Sequence, residues 1–410
     1  MEPHPPQEAR ARAAALEVSR PLRVALCVCW AASVLIGAVK LVAALGRAPH
    51  RPLIFDFHCF MIAGRLTWEG RLADSYDVRT MIRLEQLAGG QTVILPWSYP
   101  PLFALVLAPL SQAPIVLAFC LFVLGGFALF WVALHRLAPR SAWLVLATLA
   151  PCTIINLNVG QNGFLTGGLF ALAAAAFVRR KPGQGGLAIG ALVYKPHMAL
   201  VWPVLLAVRG RWATAMAAGA VAAALTGASF LVVGPEPFKA FLGASALATR
   251  SVAAYYEVHR MTSLYATGIT LGLPPGAALA VHVAGALATI VGMVWIGRRL
   301  PGPSQAGLAI MSTIFLSPYF FDYDLPVFGV GLALVLPELA ARMTRLRLGL
   351  LLGVIAAAQV AGVAVNDWAV RPSLGGPLLL AAFAVMLHIL AQAQAPATRD
   401  SAEPIAAGAA

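Results

Sequence analysis

Charged side chains are scarce in this sequence, and acidic ones are scarcer than basic ones. Of the 410 residues, 11% are Asp, Glu, Lys or Arg, with 16 acidic against 29 basic side chains, and residues 86–235 contain no Asp or Glu. Soluble domains carry about 25% charged residues, so the composition excludes a soluble enzyme. Because 60% of the residues are hydrophobic and a helix crosses a bilayer with about 20 residues, we predict an all-α polytopic membrane protein.

Cysteine and the common catalytic signatures are also missing. The five cysteines include no CxxC pair, which argues against a disulfide framework and against a zinc site. The sequence has no GxxxxGKS/T, HExxH, GxSxG or Rossmann fingerprint, so ATP-driven and serine-hydrolase activities lose support. The basic residues, mostly Arg, stand in short clusters between apolar runs. This distribution is typical of an orientation signal in a membrane protein, and we expect no nucleic-acid partner.

Apolar runs recur along nearly the whole chain. Ten are candidate spans, at residues 22–45, 113–134, 142–157, 162–178, 213–233, 276–297, 305–321, 325–341, 346–365 and 373–392. Three more, at 99–112, 187–208 and 262–273, are short or broken, as segments that line cavities often are. We therefore predict a bundle of roughly 10–13 transmembrane segments. Residues 22–392 would form one transmembrane catalytic domain, between cytoplasmic tails at 1–21 and 393–410.

The Arg clusters predict which loops face the cytoplasm. If the three short pieces are half-crossings, most basic loops and both termini lie inside, as the positive-inside rule requires. The outer face then receives residues 46–98, 156–162, 234–261, 322–324 and 366–368. Within the outer loop at 46–98, helical spacing predicts two amphipathic helices. They would either lie on the membrane surface or pack on the core of the protein.

Asp56 is the most conspicuous acidic residue on the predicted outer side. It follows Leu53-Ile54-Phe55 and precedes Phe57. A carboxylate between bulky apolar residues at an interface is expected to have a raised pKa, which suits a general base. The alternative is a structural role, because an Asp at this point can also cap the first helix of the loop.

Lys195 is the one lysine of four that lies within a broken apolar segment, directly before Pro196 and His197. Pro196 disfavours helix at Lys195, so the ammonium is expected to point into a cavity. An intramembrane ammonium needs a counter-charge elsewhere in the fold or in a ligand. A phosphate is the natural ligand, with His197 as a second donor. Alternatively, Lys195 snorkels to an interface.

Two polar turns are candidate sugar sites. The amides of Gln161 and Asn162 suit sugar hydroxyls, although an ordinary capped turn between helices explains them too. Asp322-Tyr323-Asp324 has the DxD pattern with which nucleotide-sugar enzymes hold a metal against a diphosphate. It falls on the wrong side of the membrane for cytosolic nucleotide sugars. We therefore favour solvated or cavity-lining carboxylates at this turn over a metal site.

Several short motifs follow one another in a fixed order along the chain. They are Asp56-Phe57 with Tyr76-Asp77; Tyr99-Pro100-Pro101-Leu102-Phe103; Gly160-Gln161-Asn162; Lys195-Pro196-His197; and Ser317-Pro318-Tyr319 with Asp322-Tyr323-Asp324. This ordered set resembles the polyprenyl-phosphate-mannose-dependent enzymes of glycosyltransferase family 87, within the GT-C superfamily.

The resemblance implies a GT-C-like helical bundle and a metal-independent, inverting transfer of a hexose, usually mannose. The donor would be a polyprenyl-phosphate sugar and the acceptor a glycolipid or glycan, at the outer or periplasmic face of the cytoplasmic (inner) membrane, with membrane lipids around it. No cofactor is implied. Asp56 would be the catalytic base, with Lys195 and His197 near the donor phosphate. Residues expected to contact the sugar or acceptor are Tyr99, Gln161, Asn162, Asp322, Tyr323 and Asp324.

Two other classes of protein remain to be weighed. The runner-up is a transporter or flippase for an anionic lipid or solute, which would use Lys195 without forming any bond. Broken helices also build transporter sites, which supports it. Against it, the sequence has no visible inverted repeat, and the long outer loop is unusual for a carrier. A scaffold protein would not need Lys195 in apolar surroundings.

Overall fold

The computed structural model describes residues 16–45, 56–89, 96–250, 258–363 and 372–392. Over these residues the chain forms 18 α-helices and no β-strand, which confirms the predicted all-α architecture. The first nine helices are α1 (Arg20–Leu45), α2 (Asp56–Trp68), α3 (Val78–Gly89), α4 (Pro101–Leu110), α5 (Ile115–Leu137), α6 (Ala142–Thr148), α7 (Ala150–Val159), α8 (Gly163–Val178) and α9 (Pro182–Ala191). The remaining nine are α10 (Val201–Val208), α11 (Trp212–Val233), α12 (Glu236–Arg250), α13 (Leu264–Thr270), α14 (Pro275–Gly297), α15 (Gly302–Leu316), α16 (Pro326–Arg342), α17 (Arg345–Val363) and α18 (Gly375–Gln392).

Among the described residues, five helices are long and apolar enough to cross a membrane, namely α1, α5, α11, α14 and α18. Helices α6 and α7 add a sixth span if the pair, bent by 73°, is counted as one. These helices confirm a polytopic membrane protein. The larger count of roughly 10–13 crossings, which includes shorter helices, stays a prediction, and so do the two cytoplasmic tails, which fall largely outside the described residues.

The predicted breaks occur where the sequence places them. Helix α9 ends at Ala191, two 3-10 turns at Leu192–Tyr194 and Pro196–Leu200 follow, and α10 then resumes the helical path. Lys195 lies between the two turns with φ −141° and ψ 67°, outside the helical region. The cause is local, since the ring of Pro196 disfavours helical geometry at the residue before it.

The bundle has a buried centre and an apolar exterior. Nearly all residues of α15 and most residues of α8 and α16 are buried. Helices α1, α5, α11 and α14 instead expose large apolar side chains, such as Leu231 and Met216 on α11. An exposed apolar surface of this extent suits lipid and not water.

Helix α2 packs into the core of the protein. Phe57 and Phe60 are fully buried, and their rings contact Phe119 and Phe103 at centroid distances of 5.4 Å each. The packing of α2 on the protein's own core, one of the two predicted arrangements, is therefore observed, while contact of α2 with the membrane surface stays untested. Residues 46–55, which begin the predicted outer loop, and residues 366–368 lie outside the described residues.

Two central helices run between a polar turn and an Arg-rich end. Helix α8 begins after Asn162 and ends before Arg179, while α16 begins just after Asp324 and ends at Arg342. With 16 and 17 residues at 1.5 Å each, both are about 25 Å long. Arg179 Nη2 donates a hydrogen bond to the Arg136 carbonyl oxygen at 3.2 Å, so the end of α5 lies beside the end of α8.

Candidate active site

Two glycines allow the polar turns to approach one another. Gly160 ends α7 in the left-handed region at φ 71°, where glycine is favoured. A Cβ there would lie 2.7 Å from the Phe57 Cβ. A Cβ on Gly163 would lie 1.8 Å from the Tyr323 carbonyl oxygen, so any larger residue would push the two turns apart. These glycines bring Gln161 and Asn162 against α2 and against the 3-10 turn at 322–324.

The side chain of Asn156 joins the same two turns through hydrogen bonds. Its Nδ2 donates a hydrogen bond to the Tyr323 carbonyl oxygen at 2.8 Å, and its Oδ1 accepts one from the Gly163 backbone N–H at 3.1 Å. One buried amide therefore satisfies backbone groups of two turns that are far apart in sequence.

Asp56 meets Gln161 inside the protein. The Asp56 side chain is 7% exposed, and its Oδ2 accepts a hydrogen bond from Gln161 Nε2 at 2.7 Å. The other amide atom, Gln161 Oε1, accepts from the Asn162 backbone N–H at 3.2 Å. The donor to Asp56 in this contact is a neutral amide, which orients the carboxylate without neutralising it.

Lys195 has its counter-charge within the fold. Its Nζ donates to Asp324 Oδ1 at 2.5 Å and to Asn162 Oδ1 at 3.2 Å. Lys195 is 4% exposed and Asp324 is 1% exposed. The snorkelling interpretation is therefore wrong. A ligand is not required to balance the ammonium, since the carboxylate 129 residues away already does so.

Aromatic rings surround the ammonium. Nζ of Lys195 lies 5.3 Å from the centroid of the Tyr323 ring and 5.9 Å from that of Tyr99, within the range of cation–π attraction. Tyr76 holds the backbone of Tyr99 in place, because its hydroxyl donates to the Tyr99 backbone carbonyl oxygen at 2.8 Å. Tyr99 and Tyr323, both predicted from the sequence as site residues, thus lie beside Lys195.

Arg260 completes the cluster and is not among the site residues predicted from the sequence. Its Nε donates to Asp322 Oδ2 at 3.1 Å and its Nη2 to Asp322 Oδ1 at 3.0 Å, the two-pronged geometry of a strong guanidinium–carboxylate pair. Its guanidinium also lies 5.9 Å from the centre of the Tyr323 ring. The sequence does hint at a second cation, because the two acidic residues Asp322 and Asp324 next to apolar spans need two positive partners.

The turn at Asp322-Tyr323-Asp324 corrects one expectation. Asp322 and Asp324 are both buried and each is paired with a different cation, so the expectation of solvated carboxylates is wrong, while a cavity-lining position stays a prediction. Burial raises the pKa of Asp324 above its ordinary value, while Lys195 opposes that shift. Pairing accounts for their burial, since a buried charge is tolerated only beside a partner.

His197 follows the Lys195 break but does not join the same hydrogen-bond network. Its ring is half-buried, and within the described part of the chain its Nε2 has no hydrogen-bond partner. Its role beside a donor phosphate stays a prediction.

Two other acidic residues on the predicted outer side, Asp74 and Asp77, have local partners at the surface. Asp74 pairs with Arg71 at 2.7 Å. Asp77 accepts from the Thr80 backbone N–H at 2.9 Å and from the Thr80 hydroxyl at 2.6 Å, and the hydroxyl contact is the main cause that lowers the pKa of Asp77. Such hydrogen bonds are typical of a helix cap, so Asp56 remains the strongest candidate base.

Comparison with known proteins supports the same conclusion about the family. The family model of glycosyltransferase family 87 matches residues 97–318, more than half of the chain. The matched region holds Tyr99, Gln161, Asn162, Lys195 and Arg260, while Asp56 and the turn at 322–324 lie outside it. Comparisons with curated proteins and with solved structures give no match. With a helical membrane bundle and this match over most of the cluster, the chain belongs to glycosyltransferase family 87.

Proposed function

We propose that this glycosyltransferase moves a hexose, mannose in our proposal, from a polyprenyl-phosphate donor to a glycolipid or glycan acceptor with inversion. One observation carries the proposal. A continuous set of hydrogen bonds joins Asp56 through Gln161 and Asn162 to Lys195 and Asp324. It supports a site in which a proton-accepting carboxylate and a phosphate-binding ammonium act on the same substrate.

Asp56 is the proposed general base. It takes the proton from the acceptor hydroxyl while that oxygen attacks the anomeric carbon of the donor sugar. The bond from this carbon to the phosphate oxygen breaks, and its electron pair leaves with the polyprenyl phosphate. A single displacement of this kind needs one base, whereas retention through a covalent intermediate needs a second carboxylate close by. The pairing of Asp322 and Asp324 with cations supports the single-base reaction.

Lys195 is the proposed phosphate-binding residue. While the donor is absent, Asp324 occupies the position beside Lys195 that the phosphate would take. A phosphate that reaches the ammonium takes over the contact now made by Asp324 Oδ1 at 2.5 Å. Arg260 lies 5.9 Å from the centre of the same Tyr323 ring, where its positive charge can help to balance the carboxylate charge that this exchange releases. His197, two residues beyond Lys195, is the proposed second donor to the phosphate.

The sugar would lie among Tyr99, Gln161, Asn162 and Tyr323. Aromatic rings pack against the apolar face of a pyranose, and amides bind its hydroxyl groups. The lipid tail explains why the site is built inside a membrane bundle, since an isoprenoid chain stays in the hydrocarbon. On the predicted orientation the site faces the outer side of the cytoplasmic membrane.

The test is a transfer reaction with the purified full chain in liposomes. Radiolabelled polyprenyl-phosphate mannose is added with membrane extract, and the labelled product is identified by mass spectrometry and its anomeric configuration by NMR. We expect a mannosylated lipid or glycan of inverted configuration, together with free polyprenyl phosphate. A chain that moves the donor between leaflets without making product, or that uses another sugar donor instead, would contradict the proposal.

A further inference from the structure

A cavity lies at the far end of α16 from the cluster around Lys195. It has a volume of about 400 Å³ and is lined by Arg342, Met343, Arg347, Ile389 and Gln392. These residues come from the end of α16, the start of α17 and the end of α18. We propose that this cavity is a binding site for the phosphate headgroup of an anionic glycerophospholipid.

The chemistry of the lining fits an amphiphile with an anionic head. Two guanidiniums and one amide supply hydrogen-bond donors, and Arg is suited to phosphate because its planar fork donates two parallel hydrogen bonds. Met343 and Ile389 supply an apolar side to the same cavity. A cavity of this volume lies within the range of ordinary ligand sites.

The cavity keeps a net positive charge even after the Arg342–Glu338 ion pair is counted. Arg342 pairs with Glu338 one helical turn earlier, which cancels one charge. Arg347 has no acidic partner within the described residues, and its side chain is exposed. Arg345 is exposed at the first position of the same helix. The cavity therefore keeps an uncompensated cation for an incoming anion.

The position of the cavity favours a lipid over a soluble anion. It lies at the end of α18, one of the five candidate spans, and therefore at the depth of lipid headgroups. Leu346 and Leu350 of α17, which are close to Arg347 in sequence, are largely exposed. Their exposed apolar side chains suit contact with acyl chains. Basic pockets between transmembrane helices are a common means of binding anionic headgroups.

This site is separate from the proposed transfer. Helix α16 places about 25 Å between the turn at Asp324 and the cavity at Arg342, nearly the thickness of the hydrocarbon core. The lipid would therefore occupy the leaflet opposite the catalytic cluster, which is the cytoplasmic leaflet on the predicted orientation. Failure of the transfer reaction would leave this proposal unaffected.

The experiment measures lipid binding by the purified full chain. Short-chain phosphatidylglycerol is titrated against the chain in neutral detergent with phosphatidylcholine as the reference lipid, and affinity is read from native mass spectrometry and from the shift in Tm. The test variant is Arg342→Gln/Arg347→Gln. The matched control is Arg140→Gln, which removes an exposed Arg near the end of α5 but outside the cavity.

We expect phosphatidylglycerol to bind the natural chain and to raise its Tm, as any ligand specific to the folded state does. The double variant should lose about tenfold in affinity, while Arg140→Gln changes it less than about twofold. An equal loss of phosphatidylglycerol affinity in both variants would show that general surface charge causes the binding, and it would overturn the proposal. Arg347→Gln alone, which breaks no observed ion pair, serves if the double variant unfolds.

A last part of the experiment distinguishes binding of a lipid from binding of a free anion. Inorganic phosphate at millimolar concentration is added in place of the lipid and also in competition with it. We expect neither a Tm shift nor displacement of phosphatidylglycerol. A shift of equal size with inorganic phosphate alone would overturn the lipid assignment, and so would equal binding of phosphatidylcholine.

Discussion

Helices α8 and α16 carry polar or charged groups at both ends. At one end these groups are buried, and at the other they are exposed. At one end Lys195, Asp324, Asp322 and Arg260 are buried in ion pairs. At the other end Arg179 and its neighbours are exposed. We call these the paired end and the arginine end. Ion pairs occur at both ends, but those of the paired end are buried, whereas the Arg342–Glu338 pair at the arginine end is partly exposed.

The difference teaches how the bundle uses charge. A buried ion pair gains little net stability, because desolvation offsets attraction, but the loss of one partner leaves a costly buried charge. An exposed charge can be lost at almost no cost. The buried charges of the paired end are therefore consistent with the proposed chemistry, and the exposed charges of the arginine end with headgroup contact and orientation.

The largest expected effect comes from Asp56→Asn at the paired end. We expect kcat for sugar transfer to fall by about 10² to 10⁴, because the proposed general base is removed. Folding and donor binding should stay nearly intact, since Asn keeps the size of the side chain and can still accept from Gln161. Steady-state kinetics of the purified variant, with donor binding measured separately, give the answer.

Asp74→Asn is the matched control for that variant. It also converts a carboxylate to an amide, but at an exposed position paired only locally with Arg71. Its kcat should stay near that of the natural chain. If the Asp56 variant also retained activity within roughly threefold of it, far above the loss expected for a missing base, Asp56 would not be the base.

Lys195→Met should cause the next largest effect, on stability and on donor binding together. The free energy of unfolding should fall by about 3–5 kcal/mol, because Asp324 is left buried without its cation. The KM for the donor should also rise, since the proposed phosphate contact is lost. Thermal unfolding in detergent and donor titration measure the two effects.

The double variant Lys195→Met/Asp324→Asn tests whether the stability loss comes from the orphaned charge. It should recover part of the stability lost in Lys195→Met without recovering donor binding. Equal stability of the single and double variants would show that the ion pair is not the cause. Normal donor binding in both variants would remove Lys195 from the proposed phosphate site.

Asp324→Asn alone should have a moderate effect of opposite sign on phosphate affinity. Without the competing carboxylate, Lys195 is free for the phosphate, and polyprenyl phosphate should bind about tenfold more tightly, as expected for one charge-assisted contact. Turnover should fall as product release slows. Binding isotherms of polyprenyl phosphate check this, and unchanged affinity would show that Asp324 does not compete for Lys195.

The smallest effects belong to exposed positions, which can report the orientation without disturbing function. Gln86→Cys lies in the predicted outer loop, and Arg140→Cys near the arginine end. Both should change stability by less than about 0.5 kcal/mol. In intact cells an impermeant maleimide should label Cys at 86 but not at 140, with the unsubstituted chain as background. The reverse pattern would invert the proposed orientation.

Much of the fold could be predicted because it depends on local patterns. The length of an apolar run determines whether a helix can cross the bilayer, and the observed helices α5, α8, α11, α14 and α18 match the predicted spans closely. Pro196 likewise determined the break at Lys195 through a steric effect on its neighbour. The residue types of the site could be listed for the same reason, since a charge next to apolar residues is visible in the sequence.

Only the tertiary structure decided which of these residues meet. Asp324 reaches Lys195 across 129 residues and Arg260 reaches Asp322 across 62, separations over which no local pattern specifies a partner. The burial of α2 was open for the same reason, because an amphipathic helix fits a membrane surface and a protein core equally well. Sequence patterns determine what a segment prefers, whereas pairing depends on how helices pack and on the cost of leaving a buried charge alone.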